Sequence, residues 1–517
     1  MIQDFKSSTA SVFEADICIV GSGVAAYTML SVLADTNLNV IVVERGALHP
    51  DQNETLDKEC LIHGHAFTGH QDGRRFGLGG TSLSWGGQAL PFHDFDFDQK
   101  EWVKFSGWPL SSKEITPFIP AAEAIMQVDP VPYDTDVFSL RALVPLHSDS
   151  GQVQFHFSKW SPAPNFKPGW LKKYAKHPCI HVLTHARAVS MDFDEETRLV
   201  SKLHILNPEG HKGAIVARHY VLAAGGLENP CLLLASETIP PNPWIGKMFQ
   251  DHPTAQVATV KPKDSHWLQR YFGYFFLGKT RMLPRISLTQ SAVYKNKVLS
   301  ATAFIQFIPP QGSFFENLKE VYRSASRGHI PSAKTIVKTF SSMRQIGSLY
   351  AIAKAYWADR YVFVPGGVPR LTMMIEQSPD TQSQIVLSGA KDKAGQPVPE
   401  IQWFFGDDTI HTFKTYCNIL ESEFKRLDIG KIEWDTWVNQ DNETIRQHLQ
   451  DAYHHMGTTR MSTTRDTGVV NSDCRMHDVG NVYITGSSIF PTSGHSNPTL
   501  TFMALALRLG HHLIENN

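Results

Sequence analysis

The stretch "ADICIVGSGVAAYTMLSVLADTNLNVIVVERG", Ala15 to Gly46, constrains the fold more than any other part of the chain. Ile17 to Val20 is a short apolar run, as in a strand buried on both faces. Gly21, Gly23 and Ala26 follow as G-x-G-x-x-A, and Val24 to Leu33 continue as an apolar helix. A second strand, Val40 to Val43, ends in Glu44. The glycines permit a tight turn and a close approach of a pyrophosphate to the helix N-terminus. Ala26 is small enough for the helix to pack on the strand, and Glu44 stands where an acid binds a ribose hydroxyl. Strand, glycine turn, helix, strand and acid in this order predict a Rossmann-like dinucleotide site in an α/β fold. The unit alone leaves NAD and FAD open; its place at the start of a long chain favours FAD.

A second glycine cluster, "RRFGLGGTSLSWGGQALPF", spans Arg74 to Phe92. Glycines 77, 79, 80, 86 and 87 are too many for a regular helix or strand. Loop N–H groups freed in this way can hold a phosphate or a flat ring. A surface loop fits less well, because Leu78, Leu83, Trp85 and Leu90 would be exposed to water.

Gly79-Gly80-Thr81-Ser82 followed by Trp85-Gly86-Gly87 resembles the flavin loop of the glucose-methanol-choline (GMC) oxidoreductases. "SGWPLSSKEITPFIPAAEAIM" (Ser106 to Met126) is similar to the segment that follows it in the sugar-oxidising, pyranose oxidase-like branch. "VLAAGGLENPCLLLAS" (Val221 to Ser236), "IGKMFQDHP" and "EQSPDTQSQIVLS" resemble further landmarks of that family. The resemblance runs from end to end and is weakest over about residues 255 to 370. It implies a Rossmann-like FAD-binding domain and a substrate domain built on a mixed β-sheet that roofs the flavin. It also implies a cofactor site that includes Ala25, Arg45, Ala188, Ala224 and Gly225. Some pyranose oxidases attach FAD through a histidine in the second glycine loop. Ser84 stands at that position here, so the flavin is expected to be non-covalent.

In "HHMGTTRMSTTRDTGVVNSDCRMHDVGNVYITGSSIF", His454 leads the arrangement H-x-x-G-T-x-x-M. In the family the leading histidine faces the flavin. "NVYITGSS" reads as a strand returning to the cofactor, with Gly486 and Ser487 at its end; the family often has Asp where Gly486 stands. Asn497-Pro498-Thr499 matches the N-P-T motif at the start of the last helix. A helix entrance carries free N–H groups and partial positive charge, and Pro498 fits there because no N–H is needed. The expected chemistry takes a proton from an alcohol oxygen and a hydride from its carbon. His454 is assigned as base and Asn497 as the amide on the substrate oxygen. His495, two residues before Asn497, is a competing candidate that the register does not favour, and His455 is read as a packing or capping residue.

The chain has 517 residues, net charge -2, and no basic stripe of the kind that binds nucleic acid. Its six cysteines form no C-x-x-C pair, so no metal cage or disulfide framework is expected, and reduced thiols point to the cytoplasm. No signal peptide, membrane-spanning run or repeat is read. Residues 1–250 and 450–517 are expected to form the FAD-binding domain, with parts of 90–160 contributing to the substrate side. Residues 251–449 would form the substrate domain, ending at a linker near "KIEWDTWVNQDNET". "RYFGYFFLG" (Arg270 to Gly278) is read as a strand of its sheet. The basic segment 315–360 is read as a solvated helical lid rather than a face resting on a membrane or polyanion. The expected partner is a small alcohol, a carbohydrate in first place, with oxygen, a quinone or a protein carrier all open as electron acceptor. A GMC-fold lyase with structural flavin, an NAD-dependent dehydrogenase and a non-catalytic binding module remain the competing readings.

Overall fold

Val12–Val20 and Val40–Val43 lie side by side in parallel, with Ile17, Ile19, Val40 and Val42 fully buried. Strands apolar on both faces need cover on both sides, and helices supply it. In the computed structural model, which describes residues 1–49, 59–313, 316, 317, 321 and 346–516, these two strands sit at the centre of an eight-stranded sheet. Ile2–Asp4, Ile180–Thr184, Val40–Val43, Val12–Val20 and Lys212–Leu222 run parallel in that order. Leu199–Leu206 and Arg187–Asp194 continue it antiparallel, and Val482–Ile484 pairs in parallel with the end of Lys212–Leu222. The first helix, Val24–Leu33, and the last, Thr499–Glu515, pack together beside this sheet; a Cβ on Gly510 would lie 3.4 Å from the Met29 side chain.

A second sheet runs Lys431–Trp434, Thr254–Lys261, Val368–Ile375, Ala301–Ile308, Thr280–Leu288, Val153–Trp160 and Gln88–Ala89, with Phe275–Leu277 added beside Thr280–Leu288. The α/β class is as expected. Every pair in this second sheet is antiparallel, and a third, small sheet is mixed: Pro397–Trp403 pairs antiparallel with Gln384–Lys391 and parallel with Leu61–Gly64. The two-residue link between Phe275–Leu277 and Thr280–Leu288 leaves no room for the crossover that a parallel pair requires. The helix Asp407–Arg426 covers the second sheet with a face of Ile410, Phe413, Tyr416, Leu420 and Phe424.

Two local expectations change, and a third falls largely outside the described residues. Arg270–Gly278 is not one strand: Ser265–Phe272 is a helix, and only Phe275–Leu277 is extended. Asp264 caps that helix by accepting from His266 N and Trp267 N, Leu268 and Phe272 are buried, and Gly273 ends it. The proposed linker is itself structured, because Lys431–Trp434 hydrogen-bonds to Thr254–Lys261 as an edge strand and Asn442–His448 is a helix. Of the segment 315–360, the helix Ile346–Asp359 is described, and most of the rest lies outside the described residues.

Candidate active site

Register places four strand ends abreast. Val20 pairs with Val43 and with Leu222, and Leu222 pairs with Ile484. In an open parallel sheet, ligands bind beyond these carboxyl ends. The first glycine turn, Glu44, Ala224-Gly225 and Gly486-Ser487 therefore leave the sheet on one side, around a cavity of about 610 Å³.

Gly21, Gly23 and Ala25 line the cavity from the first loop, and Glu44 and Arg45 from the next strand. The second glycine cluster contributes Gly80, Thr81, Ser82, Ser84, Trp85 and Gly86. Ala188, Ala224, Gly225, Gly486 and Ser487 complete one side, and His454, Asn497, Pro498 and Thr499 close the other. Three expected residues stand back from the wall. Ala26 is fully buried between helix and sheet. Gly79 turns the chain and donates its N–H to Ser22 Oγ, and Gly87 packs on Pro164. Two glycines are required by geometry. Gly21 has φ +98° and a Cβ there would lie 2.7 Å from Ala223 O. Gly80 has φ +52° and a Cβ would lie 2.9 Å from Gly23 Cα, so the two glycine loops touch backbone to backbone.

Glu44 ties these loops together. One oxygen accepts from Ser22 N (3.1 Å) and Ser22 Oγ (2.6 Å); the other accepts from Gly46 N and Gly77 N, both at 2.9 Å. Burial raises its pKa against these four donors. All four donors come from the protein, and Glu44 also lines the cavity, where the ribose hydroxyl expected from sequence would have to share these acceptor positions. Nearby, Arg74 pairs with Glu228, and Arg45 lies 3.9 Å from the same carboxylate and 4.2 Å above the Phe76 ring. Burial alone would raise Glu228, but Arg74 and Arg45 hold it below the usual carboxylate range.

At the other end, His454 Nε2 is 2.9 Å from Asn497 Nδ2. These residues are 43 apart in sequence and come from separate loops. Burial, and then the neighbouring His252, push the His454 imidazole well below its ordinary pKa, so it is neutral at pH 7. Asn497 Oδ1 is buried with no hydrogen-bond partner. Pro498 and Thr499 put the entrance of the last helix on the cavity, and no side chain caps it.

His495 takes no part in this wall. It is fully buried, bonded to Asp96 and Ser496, and stacked on His93 at 4.1 Å and 10°. The ring nitrogens of His93, His156 and His495 lie within 4.8 Å of one another. Parallel rings, however, cannot aim in-plane lone pairs at one ion between them, and both His495 nitrogens already have partners. His455 lines the cavity but packs against Phe67 and Phe249. Asp251 and His252, inside the landmark "IGKMFQDHP", carry no role that the sequence alone assigns. His252 Nδ1 lies 2.8 Å from His454 Nδ1. Asp251 accepts from the backbone N–H of His252, Ala452 and His454 at 2.6, 3.0 and 3.0 Å.

Residues 379–506 match the family model described as GMC oxidoreductase. The chain is 21% identical to the 6'''-hydroxyparomomycin C oxidase of Streptomyces lividus, over 95% of this chain and 90% of that protein. It is 23% identical to a C-glycoside 3-oxidase of Microbacterium trichothecenolyticum over 31% of this chain and 29% of the relative. Among solved structures, pyridoxine 4-oxidase from Mesorbium loti superposes with TM-score 0.57 at 15% identity, covering 97% of this chain and 100% of that one, which establishes a shared fold.

Proposed function

The chain belongs to the GMC oxidoreductases, and from that premise we propose that it oxidises a CH–OH group of a sugar, glycoside or polyol with His454 as the base. FAD is the cofactor, and the reaction class is FAD-dependent oxidation of an alcohol to a carbonyl. The choice of a carbohydrate rests on the names of the two oxidase relatives, one acting on a hydroxyparomomycin and one on a C-glycoside.

The cavity suits that cofactor. Cβ atoms on Gly23, Gly225 and Gly486 would meet nothing within 4 Å, so three strand-end loops leave open room where a long, flat ligand must pass. The uncapped entrance of helix Thr499–Glu515 offers N–H groups and positive potential to negative charge at the other end. Gly23, Gly80, Ser84, Trp85 and Ala224 would hold FAD, which when bound supplies the hydride acceptor. Ser84 in place of a linking histidine supports a non-covalent flavin.

One observation carries the catalytic reading: a neutral imidazole nitrogen and a primary amide meet at 2.9 Å in the cavity wall. A substrate hydroxyl taking the place of that contact would donate to His454 Nε2 and accept from Asn497 Nδ2. As the carbon loses hydride, the oxygen loses its proton to Nε2, and the C–O single bond becomes C=O. Both electrons leave with the hydride, and the proton ends on His454.

The domain division is also our proposal. It assigns 1–250 and 450–517 to the FAD side and 251–449 to the substrate side, with parts of 90–160 contributing to the substrate side. It is supported by the first sheet drawing on residues 2–222 and 482–484, and the second on 88–434. No helix among the described residues is long and apolar enough to cross a membrane. The cytoplasmic assignment rests on six cysteines without a disulfide.

Gly23 has φ -71° and ψ -167°, which any residue can adopt. Gly23→Val should therefore unfold at the same temperature as wild-type apoprotein but purify colourless, because the added carbons occupy ligand space. Full flavin occupancy of this variant would contradict the placement. Acid precipitation of the wild type should release its flavin into the supernatant.

Anaerobic stopped-flow mixing with a panel of sugars, glycosides and polyols should bleach the flavin, and re-oxidation by air or a quinone identifies the acceptor. His454→Ala should retain flavin and slow its reduction by about 100- to 10000-fold, the contribution of a positioned base. Asn497→Ala should slow it less, and His495→Ala should alter stability rather than the reduction step. Bleaching by none of these compounds, with cleavage of a cyanohydrin instead, would favour a lyase.

The pH profile follows from the depressed His454 pKa. The base is active when unprotonated, so activity is present above its pKa and lost below it. The reduction rate should stay level as pH falls through about 6.5, the ordinary histidine value, and decline only at lower pH. A decline centred at or above that value would contradict the assignment.

A further inference from the structure

His252 is fully buried, and both of its ring nitrogens have partners. Its Nε2 lies 2.9 Å from Gly494 O and 3.2 Å from Ser493 O. Carbonyl oxygens only accept, so Nε2 carries a proton. Burial lowers the His252 pKa to about 4, and at neutral pH the ring holds one proton only. Nδ1 is then a bare acceptor, and its partner at 2.8 Å is His454 Nδ1. Two bare nitrogens at that distance would repel, so His454 must carry its own proton on Nδ1. This leaves His454 Nε2 as a lone pair, matched by the N–H of Asn497 Nδ2 at 2.9 Å.

We propose that His252 is a positioning residue for the alcohol oxidation: it passes the polarity of two backbone carbonyls through its ring and fixes His454 in the tautomer whose Nε2 lone pair faces Asn497. The inference rests on the reading of His454 as base and adds what makes the correct nitrogen basic. The attachments of His252 fit this role better than packing does. The carbonyls it holds belong to Ser493 and Gly494, three to four residues before Asn497. Its backbone N–H and that of His454 both donate to the carboxyl of Asp251. His252 thus contacts the base directly and the loop that carries the amide, and it sets the two relative to each other. When His454 takes the substrate proton on Nε2, its Nδ1–H keeps donating to His252 and no rearrangement is needed. In the opposite tautomer, Nε2 would already hold a proton and could not act as base.

The test uses holoenzyme labelled with nitrogen-15 at histidine, observed at neutral pH by long-range proton–nitrogen correlation. His454 signals are identified by their loss in His454→Gln holoenzyme. In the wild type, His454 should show the pattern of a ring protonated at Nδ1. His252→Leu should lose that pattern and reduce its flavin about 10- to 100-fold more slowly, the range expected when a group that orients a histidine is removed. The reducing compound is the panel alcohol that bleaches wild-type flavin fastest, and its apparent dissociation constant should move less than the limiting rate. His252→Asn can place an amide oxygen near the position of Nδ1, and it should restore the tautomer and most of the rate. A wild-type His454 protonated at Nε2 would overturn the proposal without recourse to any variant, so misfolding of His252→Leu does not protect it. A flavin-loaded His252→Leu with wild-type tautomer and rate would overturn it as well. Failure of the underlying reading looks different: His454→Ala would then reduce its flavin at the wild-type rate, whatever tautomer the spectra report.

Discussion

The carboxyl group of Asp251 gathers three backbone N–H groups, from His252, Ala452 and His454, and the catalytic end of the cavity hangs on that junction. Two distant parts of the chain meet there. One enters the antiparallel sheet at Thr254; the other runs from Gln450 towards the strand that returns at Val482. Burial and the neighbouring Asp451 push Asp251 up to about 8, against three N–H donors that favour its ionised form. Such a carboxyl is mostly protonated at neutral pH, and the cost of burying it is offset where its hydrogen bonds fix something that packing alone would not. Here they fix the backbone on either side of two histidines whose side chains must meet nitrogen to nitrogen.

The opposite end of the cavity is built on a similar device. Glu44 accepts four hydrogen bonds from Ser22, Gly46 and Gly77, and so binds the first glycine turn to the second glycine cluster. The two clusters then approach closely enough that a single Cβ on Gly80 would collide with Gly23. Two buried carboxyl groups therefore set the geometry of the cavity, one at each end. Between them lie aligned strand ends and a helix entrance whose N–H groups remain unspent.

The sequence makes the periodic and local features legible. The strand Val40–Val43 and the helix Val24–Leu33 have the bounds that their apolar runs imply, because they are buried on both sides and little else competes. The pairing of His454 with Asn497 could be anticipated only through family register, since their contact spans loops that composition does not describe. Arg270–Gly278 departs from the strand expected because aromatic residues suit strand and helix alike, and the cap at Asp264 decides between them. The spacing of Glu44 marks it as a cavity residue, but spacing does not show that three backbone N–H groups and the Ser22 hydroxyl converge on it. His252 was invisible for a related reason: its partner lies 202 residues away, and its role depends on which nitrogen meets which atom.

The central claim is that an imidazole at position 454 takes the hydroxyl proton as the flavin is reduced. Chemical rescue tests it most directly. Flavin-loaded His454→Gly, mixed anaerobically with a substrate alcohol in the stopped-flow instrument, should reduce slowly and recover rate in proportion to added free imidazole. That recovery should be stronger at pH values where the added imidazole is unprotonated. A reduction rate that is already high, or that is slow and indifferent to imidazole at every pH, would contradict the account.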